Sequence, residues 1–176
     1  MVAVTQAPRP AGQARTVAHY LTRRAGRVVL IEPKRSVLLL SGTDPSDATA
    51  PPFWFVPGGG AENDETPEQA ARREVYEEVG ARLEDLGPPV WHRHVSFPFG
   101  GDWYDQYEWF FVVRVARFDP RAAALTELER RATTGARWWP LAELAETEEA
   151  VHPAGLAWLV TEWLANGPPA QPRSID

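Results

Sequence analysis

Apolar residues along this chain fall into short dense runs separated by polar, proline-rich breaks. Arg27 to Ile31 and Val37 to Leu40 are apolar at almost every successive position, with Glu32-Pro33-Lys34-Arg35-Ser36 between them. That pattern predicts a β-hairpin, and its lack of alternation predicts strands covered on both faces. Ser41 to Pro52, with Gly42 and three prolines, reads as a long loop, and Trp54-Phe55-Val56 as a short strand leading into Pro57 and the glycines. Val90 to Phe97 and Trp103 to Arg117 predict two further strands joined by the turn Phe97 to Asp102. In the second of these, Gln106 and Glu108 share one face while Tyr107 and Trp109 share the other. Glu108 stands beside five apolar residues and would be costly to bury unpaired, so it should face a cavity, a cation or a basic partner. Ala122 to Arg131 is charged and reads as a loop or short helix carrying Glu127 and Glu129. Arg137 to Leu144 reads as a last strand entering a short helix. Leu156, Leu159, Val160, Trp163 and Leu164 recur at helical spacing until Gly167.

The best-defined element lies between these strands. Thr66 is a natural N-cap, Pro67 suits the first helical position, and Gln69 stands where its side chain can return a hydrogen bond to the cap. Gly80 can close the helix in the left-handed conformation, so the spacing predicts a helix over Pro67 to Val79. At about 100° per residue, Glu74, Glu77 and Glu78 fall in one arc, beside an apolar stripe of Ala71, Val75 and Val79. Beside a packed core, like charges about 7 Å apart at an effective dielectric of about 20 cost roughly 2 kcal/mol per pair. A divalent cation would reverse that sign, and an oxygen-rich site suits Mg²⁺ or Mn²⁺. Arg73, one turn before Glu77, compensates only in part.

Composition narrows the options. The 176 residues, 44% hydrophobic with eight tryptophans, are enough for one domain with a sizeable core. The expected division is an N-terminal extension over 1 to 16, one domain over 17 to 166 and a mobile C-terminal tail over 167 to 176. A net charge of −6 argues against stable binding to nucleic acid or to an anionic membrane. No apolar run is long enough to span a bilayer and the first fifteen residues lack a secretory hydrophobic segment, so the expected compartment is the cytoplasm. Zero cysteines exclude disulfides, thiolate catalysis and thiolate zinc sites. His92 and His94 share a strand face, but no third nitrogen or sulfur ligand is near in sequence.

Gly59, Glu65 six positions on, and Arg73-Glu74-Val75-Tyr76-Glu77-Glu78-Val79-Gly80-Ala81 match the fixed positions of the Nudix box. On these residues the chain resembles the Nudix (MutT-like) hydrolases. Pro57-Gly58-Gly59 and Glu62 are similar to family usage, whereas Asp64 replaces a more usual glycine. The resemblance implies an α/β/α sandwich with a central mixed β-sheet. It implies a hydrolase that cleaves the phosphoanhydride of a nucleoside diphosphate linked to another group X, with water and Mg²⁺ or Mn²⁺. By the same resemblance Glu74, Glu77 and Glu78 are metal ligands, joined by the carbonyl of Gly59, while Glu65 and Arg73 form an orienting ion pair. Gly58, Gly59 and Gly60, with Glu108, Trp103 and Tyr107, are the candidate substrate-binding residues. The general base is left open among Glu77, Glu78, Glu108, Glu127 and Glu129. The implied partner is a small nucleoside diphosphate derivative, read by the loops Ser41 to Pro52 and Phe97 to Tyr107. Homodimers occur in the family, though no residue pattern here demonstrates one. The competing reading is a Nudix-fold module that senses a nucleotide without cleaving it; the complete acidic box counts against it.

Overall fold

The computed structural model describes residues 20–176; the N-terminal extension expected over 1 to 16 lies outside them. The hairpin is present, with β1 spanning Tyr20–Ile31 and β2 spanning Ser36–Gly42. Its turn is closed by the Glu32 N–H to the Ser36 carbonyl, and Arg35 takes a positive φ of 63°. The buried Glu32 carboxylate accepts from the Ser36 N–H at 3.1 Å, which satisfies a charge inside the turn.

The two strands pair at Ile31 and Val37 and then splay. Residues 53–60 enter the gap: β3 (Phe53–Phe55) runs along β2, and β4 (Gly58–Gly60) runs antiparallel to β1 with Gly26 opposite Gly59. The Pro57 carbonyl between them accepts from the Val28 N–H. On the far side of β1, β6 (Asp102–Arg114) pairs in parallel over the whole length of β1, and β5 (Trp91–Phe99) pairs antiparallel with β6. β7 (Thr133–Pro140) lies along β2, and β8 (Ala150–His152), which the sequence pattern did not mark, adds in parallel to β3. The sheet is therefore mixed.

Helices cover both faces. Val28, Leu30, Leu38 and Leu40 pack against Ala71, Val75 and Val79 of α1 (Pro67–Val79). Val29, Ile31, Val37 and Leu39 pack on the other face against α3 (Leu141–Glu146) and α4 (Leu156–Asn166), while α2 (Glu127–Ala132) precedes β7. Alternate residues of the same runs thus feed two cores, which is why they lack alternation; each buried aliphatic side chain contributes about 2 kcal/mol.

The C-terminal segment differs from the mobile tail expected over 167 to 176. Arg173 and Ser174 form β9, which adds in parallel to the edge strand β5. Its N–H groups at 173 and 175 reach the carbonyls of Val90 and His92, Ile175 packs on the α4-side core, and Arg173 pairs with Glu162. An edge strand offers unpaired backbone groups, and this segment satisfies them despite its short apolar content.

Candidate active site

The site is built where α1 starts against β4. Thr66 caps the helix reciprocally with Gln69, at 3.2 Å to the Gln69 N–H and 2.8 Å from the Thr66 N–H to the Gln69 side chain. Gly80 ends it at φ 76°. The helix can lie this close because β1 has a glycine beneath it: a Cβ on Gly26 would stand 1.8 Å from the Pro67 carbonyl oxygen. β4 is as thin. A Cβ on Gly59 would stand 2.3 Å from Oε1 of Glu74, so only glycine lets that carboxylate lie against the strand.

Glu78 reaches the same strand from one turn later, its Oε2 accepting from the Gly58 N–H at 2.8 Å. Burial pushes the Glu78 carboxyl up to about 8; the Gly58 N–H opposes this, and the charge of Glu74 adds to it. Glu74, 7% exposed, is also raised by burial, with Arg73 opposing and Glu129 adding repulsion. Arg73 holds the remaining acids together. Its Nε and Nη2 donate to the two oxygens of Glu65 at 3.0 and 2.9 Å, and Nη1 bridges Glu74 and Glu77 at 3.0 Å each. Nη2 also donates to the Gly60 carbonyl. Hydrogen bonds from Arg73 hold the Glu65 carboxyl below the usual carboxylate range.

The structure thus gathers Glu65, Arg73, Glu74, Glu77, Glu78 and Gly58 to Gly60 in one place. Among the described residues, no three acidic or histidine side chains already surround a metal position, because Arg73 stands between Glu74 and Glu77. The donor set nevertheless fits a hard divalent cation. It offers desolvated carboxylate oxygens that repel one another, seated on side-chain-free backbone, and Arg73 keeps Glu65 and the Gly60 carbonyl if it releases the other two acids.

The candidate substrate residues beyond the glycines are dispersed. Trp103 packs on Tyr20 with ring centroids 6.0 Å apart, and Tyr107 stacks on His94 at 4.1 Å, both on the sheet face opposite Glu108. Glu108 is 1% exposed and fully partnered: it accepts from Arg27 Nε at 2.9 Å, from Arg93 Nε, and from Gln106 Nε2 at 2.7 Å. All of these bonds to the Glu108 carboxylate come from side chains of the protein's own sheet. The basic partner expected for it is therefore a pair. Sequence reasoning missed Arg23, Arg27 and Arg93. The available signal was Arg23 and Arg27 at even spacing within one strand, which puts both on a single face.

An acidic helix laid on a glycine strand of a mixed sheet, between two helical layers, defines a recognisable class of fold. Residues 14–159 match the NUDIX domain family, and the chain belongs to that family. It is 54% identical over 37 residues to diphosphoinositol polyphosphate phosphohydrolase 3-alpha of Mus musculus, a match covering 21% of this chain and 23% of that protein. It is 31% identical over 81 residues to Nudix hydrolase 25 of Arabidopsis thaliana, covering 40% and 46% respectively. The chain thus spans less than half the length of these relatives. In fold it is similar to the MutT protein of Methanosarcina mazei Go1, with a TM-score of 0.59 at 19% identity over 86% of this chain and 97% of that one.

Proposed function

We propose that the protein is a pyrophosphohydrolase that cleaves, with divalent metal, the phosphoanhydride of a nucleoside diphosphate linked to another group X. The observation that carries this reading is the convergence of Glu74 and Glu78, both desolvated, on the glycine strand β4. Buried carboxylates that raise one another's proton affinity are stabilised by a proton or a cation, and an anhydride substrate brings negative charge that only a cation can reconcile with them.

Glu74, Glu77 and Glu78, with the Gly59 carbonyl, would hold Mg²⁺ or Mn²⁺. When bound there, the ion neutralises the diphosphate and makes water a stronger acid. Arg73, locked to Glu65 by two hydrogen bonds, keeps the N-terminal loop of α1 and the glycine strand in register through the Gly60 carbonyl. Of the two acids in α2, Glu129, whose Oε2 accepts from the Thr126 N–H and hydroxyl in the helix cap, is the one whose charge acts on both Glu74 and Glu78, which favours it over Glu127 as the group that takes a proton from the attacking water. The net charge of −6 supports a small-molecule partner over nucleic acid. None of the described helices is long and apolar enough to cross a membrane, and we read the protein as cytoplasmic with one catalytic domain over 17 to 166.

The test is product release from a panel of nucleoside diphosphate derivatives, with Mg²⁺ and with EDTA, for the wild type and Glu77→Gln. Loss of one metal ligand removes about 3 to 5 kcal/mol of charge stabilisation, so turnover should fall by roughly two to four powers of ten while the fold is kept. Full activity in Glu77→Gln, or in EDTA, overturns the reading.

A further inference from the structure

The sheet face opposite α1 carries a cluster that the acid box does not use. Arg27 and Arg93 converge on Glu108, and Arg23 donates through Nε to Gln106 at 2.6 Å, which in turn donates to Glu108. Three guanidinium groups share one directly bonded carboxylate, and the further negative charges that act on Arg23 and Arg27 are those of the acid box, Glu74 and Glu78. The way they are held matters more than their number. Arg23 and Arg93 use only Nε on protein acceptors, and Arg27 uses Nε and, toward the Gly58 carbonyl, Nη1. Among the described residues no protein acceptor meets the other Nη nitrogens, yet none of them is a fully enclosed unpartnered atom, so they open to solvent. The side chains themselves are largely covered, 16% exposed for Arg27 and 12% for Arg93, and the Arg23 guanidinium lies 4.3 Å from the centroid of the Tyr104 ring. The cluster also adjoins the proposed active site through β4, since a Cβ on Gly60 would stand 2.8 Å from Cδ of Arg23.

Resting on the proposed hydrolase reading, we propose that Arg23, Arg27 and Arg93 form an anion subsite for a phosphate of the substrate beyond the scissile diphosphate. Glu108 and Gln106 are positioning residues that anchor each Nε so that the terminal forks stay preorganised. Arginine forks held at Nε present paired donors that match phosphate oxygens, and immobilising them in advance removes most of the ordering cost of binding. The substrate class this selects is a nucleoside diphosphate derivative whose other portion carries a further phosphate, in preference to one with an uncharged sugar or alcohol.

The test is calorimetric titration of the full chain with inorganic pyrophosphate in EDTA, where the acid box repels the ligand and hydrolysis is absent. The wild type should bind saturably, and Arg23→Gln and Arg93→Gln should each weaken binding roughly tenfold or more. Arg93→Lys should recover only part of the loss. Arg23→Gln leaves Gln106 bonded to Glu108 and strands no buried charge, so it reports on binding even if Arg93→Gln unfolds. Arg137→Gln removes the same charge from a surface pair with Glu143 and should leave binding unchanged. Absence of pyrophosphate binding, or equal weakening by Arg137→Gln, overturns the subsite. Neither result bears on metal-dependent hydrolysis, which the Glu77→Gln assay decides separately.

Discussion

Glu78→Gln should make the metal-free protein more stable while removing its activity. In the native state the Glu78 carboxyl is raised to about 8 from an ordinary 4.5, chiefly by burial against β4. A carboxyl raised on folding is harmless while both states are protonated, below about pH 4.5. Its cost then grows as pH rises through the window up to about 8, where the unfolded chain is ionised and the folded one resists. The full difference corresponds to up to roughly 5 kcal/mol of lost stability above pH 8. Glu74, raised for the same reason, steepens the loss. Glutamine keeps the shape and can still accept from the Gly58 N–H, but it carries no charge. Urea denaturation in EDTA at pH 5 and pH 8 should therefore show the wild type losing stability with pH and Glu78→Gln losing much less. At pH 8 the variant should be the more stable protein, by a few kcal/mol, and Mg²⁺ should stabilise the wild type but scarcely the variant. A Glu78→Gln protein less stable than wild type at pH 8 in EDTA would refute the claim that this carboxylate is held against its own solvation.

Two further outcomes follow from the packing around β1 and β5. Gly26→Ala places a methyl group 1.8 Å from the Pro67 carbonyl oxygen, where backbone has to yield; thermal unfolding should reveal a loss of about 3 kcal/mol, and wild-type stability would show that α1 shifts freely. Deleting residues 168 to 176 removes β9, the Ile175 contact and the Arg173–Glu162 pair. A stability loss of about 1 to 3 kcal/mol in denaturant, with faster amide exchange along β5, is expected; unchanged exchange at Trp91 and His92 would mean that the segment does not protect that edge.

What could be read from the sequence was local. Thr66, Pro67, Gln69 and Gly80 set the ends of α1 through backbone hydrogen bonds made within a few residues, so the helix matched its predicted span. The doubly covered runs at Val28 and Leu38 were equally legible, because burial on two faces leaves a run without polar gaps. β8 and β9 were not, since three-residue and two-residue strands owe their existence to a partner edge and carry no periodicity of their own. Among the site residues, Glu108 was singled out by its apolar neighbours, yet Arg93, from a different strand, could not be joined to it without the β5–β6 register. The turning of Arg73 toward Glu74 and Glu77 is a matter of rotamers, which spacing along a helix does not determine.

The splay of the opening hairpin has a consequence for how such a protein can change. β4 is tied to β1 through main-chain pairing at Ala25, Gly26 and Arg27, and it has no side chains of its own to clash. The scaffold that carries the acids therefore depends on few side chains of the neighbouring strand, chiefly the absence of one at Gly26 and the Arg27 guanidinium on the Gly58 carbonyl. New ligand preferences could be tried at Arg23 or Arg93 while the bond-breaking apparatus stays on its rails.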